Sequence, residues 1–193
     1  KNIIGVFEFA KIILIDYRFL NTLTKRQKTA GYAEMIKHSL ISEKSEFDVI
    51  KKVDSVDEIP HEMIYKSIAT KISIIDIDPH ESSIRKFLNY GHTLGHAIES
   101  HFLGKKKSKT LLHGEAISIG MILESYISYK ILKMPYEQCL HIKKTINSKF
   151  EKIKINSEDS KSITNLIKFD KKSKDGKVLF VLLYEIGKSK IDI

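Results

Sequence analysis

The sequence predicts a mainly α-helical fold, a helical bundle with short β segments at both ends, and three observations carry that prediction. Apolar residues recur at three- and four-residue steps through most of the 193 residues. The prolines Pro60, Pro79 and Pro135 fall between these stretches, where a helix must stop. At the two ends the pattern changes, to Lys-Ile-Ile-Leu-Ile-Asp at 11–16 and Val-Leu-Phe-Val-Leu-Leu at 178–183, both runs of β-formers.

Residues 11–16 read as a short buried strand with an acidic end, belonging to a sheet whose other strands are missing. A turn and a short helix follow around Phe19, Leu20, Asn21, Thr22 and Leu23. From about 24 to 50 the pattern is helical, with Ala33, Ile36, Leu40 and Ile41 on one face. Polar residues 54–60 end in Pro60, and helix returns over 61–77 with Met63, Ile64, Ile68, Ile72 and Ile75 apolar. After Asp78-Pro79 the spacing predicts one helix over about 82–101, starting near Ser82-Ser83. A lysine-rich loop at 104–109 leads to a strongly apolar helix over 113–132, ended by Met134-Pro135. Helices are expected at 136–150 and 157–169, and Asp175-Gly176 is a hairpin turn signal before the last β run. No internal repeat is present.

Composition excludes several functions. No run of 18 apolar residues or signal-peptide pattern occurs, so no membrane partner is expected. The chain opens on Lys1 rather than Met, which reads as a processed, cloned or partial product and not a natural start. Its one cysteine, Cys139, rules out an internal disulfide and a cysteine-based zinc site, and reads as a small core residue in a reducing cytoplasm. The net charge of +9 comes from lysines interleaved with Asp and Glu, with arginine only at Arg18, Arg26 and Arg85. That is a solvated surface, whose field suits an anionic substrate, rather than a nucleic-acid interface.

Arg85, Asn89, His92, His96 and Glu99 are spaced four, three, four and three apart, which on a helix places all five on one face. Groups of this kind buried without partners cost on the order of 1–3 kcal/mol each. They must therefore face solvent, pair with one another, or serve a ligand. Gly91 and Gly95 within the same stretch suit close approach by another backbone or a substrate. Two histidines four apart either bind one metal together, or one binds while the other does acid–base work. A further ligand has to come from elsewhere. His113, at the start of the next helix, and Glu34, which shares a face with Lys37, are the candidates. His38, His61, His80, His101 and His141 lack such company and read as surface or core.

Five phrases then resemble one family, the 3-dehydroquinate synthases. Tyr90-Gly91-His92-Thr93-Leu94-Gly95-His96-Ala97-Ile98-Glu99 resembles its Gly-His-Thr-x-Gly-His-Ala-x-Glu signature. Leu112-His113-Gly114-Glu115-Ala116, Gly31 to Lys37, Lys1-Asn2-Ile3-Ile4-Gly5 and Asp170-Lys171-Lys172 are similar to four further motifs, in the family's order. The resemblance implies a zinc or cobalt ion on Glu34, His92 and His113. It implies catalytic roles for His96, Lys37, Lys71, Arg85 and Asn89, and substrate contacts from Asn2 and Lys171 (or its neighbour Lys172). NAD is implied to touch Lys1, Phe19, Leu20, Asn21 and Thr22. The implied organisation is 1–23 as the tail of an N-terminal α/β NAD-binding domain and 24–193 as a helical metal- and substrate-binding domain. No Gly-x-Gly-x-x-Gly occurs, so this chain would supply the C-terminal half of the active site. The implied substrate is 3-deoxy-arabino-heptulosonate 7-phosphate, converted to 3-dehydroquinate and phosphate by an enzyme that is a homodimer at full length.

One departure is the run Lys105-Lys106-Lys107-Ser108-Lys109, which lengthens the interval from His92 to His113 and reads as a surface insertion. Rival readings are another sugar phosphate cyclase, a metal-dependent polyol dehydrogenase, and a helical interaction module without activity. The last predicts no stoichiometric metal.

Overall fold

The computed structural model describes residues 10–103, 105, 110–168 and 178–193. Among them are seven α-helices: α1 (Lys25–Ile41), α2 (Lys44–Ile50), α3 (His61–Ile77), α4 (His92–Leu103), α5 (His113–Leu132), α6 (Tyr136–Lys149) and α7 (Ser157–Lys168). Two antiparallel strands, β1 (Leu182–Glu185) and β2 (Lys188–Lys190), close the described chain. The mainly α class expected from the sequence is the class observed.

Local chemistry explains the helix boundaries. Thr24 opens α1 with a capping box, its hydroxyl accepting from the Gln27 amide while the Gln27 side chain accepts from the Thr24 amide. The expected helix over 24–50 is broken at Ser42–Glu43. Ser42 caps α1 on His38 O, and Glu43 is extended, so that α2 turns Phe47 and Ile50 into the core. Glu115 accepts the Leu112 amide at 2.7 Å and so caps α5, which ends at Lys133 in the left-handed region.

α5 is the central helix. It packs on α4, α1, α6 and β1, burying Ile117, Met121 and a line of small residues. Two apolar clusters flank it. The larger joins α1, α2, α5 and α6 to the hairpin through Tyr32, Ile36, Leu40, Phe47, Met121 and Ile146. The smaller joins α4 and the start of α5 to α7. Glycines allow the closest approaches. A Cβ on Gly120 would stand 2.0 Å from Gly91 O, and one on Gly114 would stand 1.8 Å from Ala30 O. α5 therefore touches α4 and α1 backbone to backbone.

Three further expectations are corrected. The 11–16 segment is neither a paired strand nor buried, for Leu14 is 92% exposed and Ile12, Ile13 and Ile15 are exposed beside it. An extended run forms a strand only where another strand supplies the ladder, and no described residue does so. The C-terminal β material sits later than expected, with Ile186-Gly187 at the turn; only Leu182 and Leu183 of the 178–183 run are in β1. Phe180 and Ile193 extend that pairing by exchanging backbone hydrogen bonds at 2.9 and 3.2 Å. The Asp175-Gly176 signal lies outside the described residues. Thirdly, the 82–101 stretch is two pieces, a 3-10 helix at Ile84–Asn89 and then α4, separated by Tyr90 and by Gly91 at φ +79°. Gly91 has no Cβ to oppose that turn.

Candidate metal centre

The break at Tyr90–Gly91 changes which of the striped residues share a face. His92, His96 and Glu99 remain together on α4. Arg85 and Asn89 are not on α4; they lie in the separate 3-10 helix ahead of Gly91, which is at φ +79°. Asp78 organises that stretch. Its carboxylate accepts from the backbone amides of Ser82, Ser83 and Arg85 at 2.9, 2.7 and 3.1 Å, and from both serine hydroxyls. Burial raises the pKa of that carboxyl, but these donors outweigh burial and hold it well below the ordinary carboxylate range. Arg85 donates to Pro79 O, and Asn89 donates to Glu81 Oε1 at 2.6 Å.

Three helices bring the metal candidates together. His92 begins α4, His113 begins α5, and Glu34 lies in α1. The ring centroids of His92, His96 and His113 lie 5.2, 5.4 and 5.6 Å apart, and each ring offers a nitrogen within 4.8 Å of the other two. Glu34 Oε1 stands 3.6 Å from His92 Nε2. Its other oxygen accepts from the buried Lys37 Nζ at 2.5 Å.

The donor chemistry fits a divalent cation. His92 Nδ1 donates to Tyr90 O at 3.1 Å, and His113 Nδ1 donates to Glu99 Oε2 at 3.0 Å. Both rings therefore use Nδ1 on a protein acceptor and keep the Nε2 lone pair, the usual arrangement of metal-ligating histidines. Burial first, and then Lys37, push the His92 pKa down to about 3, so its imidazole is neutral at neutral pH. Burial opposes ionisation of Glu34, but Lys37 and His92 overcome it and lower its pKa to about 2. Glu34 Oε1 is nevertheless buried with no hydrogen-bond partner. An ionised, buried oxygen in that condition beside a neutral imidazole calls for a cation.

The remaining candidates are spread around this centre. Leu20 and Asn21, in the 3-10 helix at Tyr17–Thr22, line a cavity of about 500 Å³ that reaches Glu34 and His38. Phe19 is exposed, and Thr22 donates its hydroxyl to Phe19 O; neither lines that cavity. Lys71 lies on α3 and is exposed. Lys1, Asn2, Lys171 and Lys172, with most of the lysine run after Lys105, lie outside the described residues. Lys105 itself pairs with Asp159 on α7. His38 is buried, with Nδ1 bonded to Ser67 Oγ at 2.7 Å.

Several supporting residues are invisible to helical spacing. Arg26 forks onto Glu115 at 2.6 and 2.7 Å and donates to Thr110 O, tying the start of α1 to the start of α5 across 89 positions. Glu81, the partner of Asn89, has φ 58°, so its placement depends on a left-handed turn. Glu99 was legible as part of the stripe, but its contact with His113 needed the fold. Glu124 had no signal beyond being one acid in an apolar helix.

Known proteins resemble this chain in sequence and in fold. The family model described as 3-dehydroquinate synthase C-terminal matches residues 31–173. A 3-dehydroquinate synthase of Dictyoglomus thermophilum is 38% identical over 99% of this chain and 54% of its own length. That of Parabacteroides distasonis is 35% identical over 100% and 55%. The chain thus spans about half the length of the curated relatives it matches. Among solved structures, 2-deoxy-scyllo-inosose synthase complexed with carbaglucose-6-phosphate, NAD+ and Co2+ has a TM-score of 0.78 at 28% identity, covering 98% of this chain and 52% of that one. The 2-epi-5-epi-valiolone synthase of Streptomyces hygroscopicus, with NAD+ and Zn2+ bound, has a TM-score of 0.80 at 21% identity, covering 99% and 54%, a likeness of fold.

Proposed function

The chain belongs to the 3-dehydroquinate synthase C-terminal family, and on that premise we propose that it forms the metal- and substrate-binding half of a 3-dehydroquinate synthase. The substrate in this reading is 3-deoxy-arabino-heptulosonate 7-phosphate, and the products are 3-dehydroquinate and phosphate. The observation that carries it is the convergence of Glu34, His92, His96 and His113 from three helices. Similarity to 3-dehydroquinate synthases at 35–38% identity favours this reaction over those of the other sugar phosphate cyclases. The enzyme works in the cytoplasm as a homodimer.

Glu34, His92 and His113 hold a divalent cation, zinc or cobalt, while His96 moves protons. Support comes from the unpartnered Glu34 oxygen and from the Nδ1 bonds of both histidines. NAD is held mainly by an N-terminal domain, with Lys1 and Phe19, Leu20, Asn21 and Thr22 reaching it from this half. When bound there, the cation would supply Lewis acidity toward the substrate's oxygens, and NAD would supply a reversible hydride acceptor. Arg85 and Asn89, on the turn that Asp78 braces, orient the substrate. Lys37, Lys71, Asn2 and Lys171 supply positive charge and donors for its carboxylate, hydroxyls and phosphate.

A second ligand set, His92 with His96 and His113, is favoured by the mutual 4.8 Å approach of their ring nitrogens. Zinc stoichiometry after dialysis decides between the two. About one ion per chain is expected for a three-ligand site, lost in His92→Ala and His113→Ala. Loss in Glu34→Ala with retention in His96→Ala supports the carboxylate set, and the reverse supports the three-histidine set. A parent chain that binds no zinc refutes both.

A further inference from the structure

We propose that Glu124 is a positioning residue for the His92 imidazole and acts through a single peptide group. The proposal rests on the reading of His92 as a metal ligand. Glu124 lies on α5 with 0% of its surface exposed. Its Oε2 accepts the Gly91 amide at 2.6 Å and its Oε1 accepts the Leu94 amide at 3.0 Å. These are donors at the N-terminal end of α4, where the helix itself supplies no acceptor.

The Gly91 amide belongs to the same planar peptide group as the Tyr90 carbonyl. That carbonyl accepts from His92 Nδ1 at 3.1 Å. The bonds therefore run in series from the Glu124 carboxylate to the peptide N–H, and from the peptide C=O to the imidazole. Fixing one end of a rigid plane fixes the direction of the other, and a strong acceptor on the N–H strengthens the C=O as an acceptor. The result is a ring with its proton on Nδ1 and its Nε2 lone pair directed toward Glu34, 3.6 Å away.

The surroundings leave this peptide few alternatives. Gly91 is at φ +79°, and a Cβ there would meet Met121 Cγ at 2.5 Å. The Tyr90 hydroxyl is bonded to Ser125 Oγ at 2.6 Å. Adjacent α5 residues thus hold two different parts of one turn, Ser125 the ring and Glu124 the peptide. An α5 selected for packing alone would carry an apolar residue at 124, because a fully buried carboxylate is costly unless its bonds serve a purpose. Glutamine cannot substitute, since its one carbonyl oxygen serves one amide and its NH2 opposes the other.

The test uses the full chain, Glu124→Gln, and Ser125→Ala as a control for loosened packing. The ¹⁵N shifts of the His92 ring are measured without metal, and zinc affinity is measured by chelator competition. The parent is expected to show the Nδ1–H tautomer. Glu124→Gln is expected to mix tautomers and weaken zinc binding about tenfold, the low end for groups behind a ligand. Ser125→Ala is expected to lower the melting temperature and change neither readout. Zinc affinity in Glu124→Gln within twofold of the parent overturns the proposal while leaving the metal reading intact, and so does equal weakening by Ser125→Ala. A parent that binds no zinc overturns the metal reading, and this proposal with it. Should Glu124→Gln fail to fold, the parent decides alone, because a His92 proton on Nε2 is incompatible with the series.

Discussion

Gly114→Ala tests how tightly the proposed metal centre is tied to helix packing. Gly114 follows His113 at the start of α5. A methyl at that position would lie 1.8 Å from Ala30 O, 2.5 Å from Ala30 C and 2.8 Å from Ala30 Cα. All three are backbone atoms of α1, so no side chain can swing aside. Carbon contacts become comfortable near 3.5 Å, so α1 and α5 must separate by about 1.5 Å. Overpacking of this kind costs about 1–3 kcal/mol. For a chain of this length that lowers the melting temperature by roughly 2–12 °C. The separation also moves His113 away from Glu34, so zinc affinity falls in the same variant. Gly31→Ala is the control. It changes a helical glycine of α1 with nothing within 4 Å of the new methyl, and is expected to raise stability by about 0.4–1 kcal/mol. Thermal unfolding of the two variants beside the parent checks both. A Gly114→Ala variant that melts within a degree of the parent, or that moves in the same direction as Gly31→Ala, refutes the argument from close approach.

Asp78→Asn probes the brace under Arg85 and Asn89. The folded carboxyl is depressed, so its contribution is complete above the unfolded value of about 3.9 and is lost as pH falls toward the lower folded value. Urea unfolding should show the variant less stable than the parent at pH 7, with the gap closing below about pH 4; a pH-independent gap rejects the assignment. Tyr32→Phe removes the donor to Ile50 O at 2.5 Å and leaves that carbonyl buried, and is expected to lower stability by about 1–2 kcal/mol in the same assay. No loss there means the carbonyl finds another donor. Arg26→Lys removes the fork onto Glu115. Because Arg26 is more than half exposed, the stability change should stay below about 1 kcal/mol, while zinc affinity drops as the α5 start loosens; an unchanged affinity shows that the glycine contact suffices.

The helices were legible because their periodicity is strong and their stops are chemical. Thr24, Pro60 and Pro135 mark boundaries that the fold keeps to within a residue or two. The histidine constellation was legible for a different reason, since polar groups at the spacing of a core stripe demand an explanation. The split of 82–101 was not legible. Arg85 to Glu99 keeps helical spacing throughout, and the break depends on α5, which closes against Gly91 and Gly95 and supplies the Glu124 carboxylate. A local pattern cannot report a partner 33 positions away. The same limit hid the 11–16 error, because a run of β-formers states a preference and not the presence of a neighbouring strand.

The break at Tyr90–Gly91 is what makes the proposed centre possible. Had 82–101 been one helix, Arg85 and Asn89 would lie on the axis of His92 and His96, and all five polar groups would compete for one narrow face. The turn at Gly91 separates them. His92 becomes the first residue of a new helix, where the carbonyl of Tyr90 accepts from Nδ1, whereas an interior helical carbonyl normally accepts from the amide four residues on. His113 stands in the same position on α5 and finds its acceptor in Glu99 instead. Both rings therefore depend on a helix start for their orientation, and both starts are held in part from outside their own helix, α4 by Glu124 and α5 by Arg26 and the Gly114 contact, alongside its own Glu115. It follows that the spacing of the histidines along the chain sets which residues can meet, while side chains from other helices set whether their lone pairs converge.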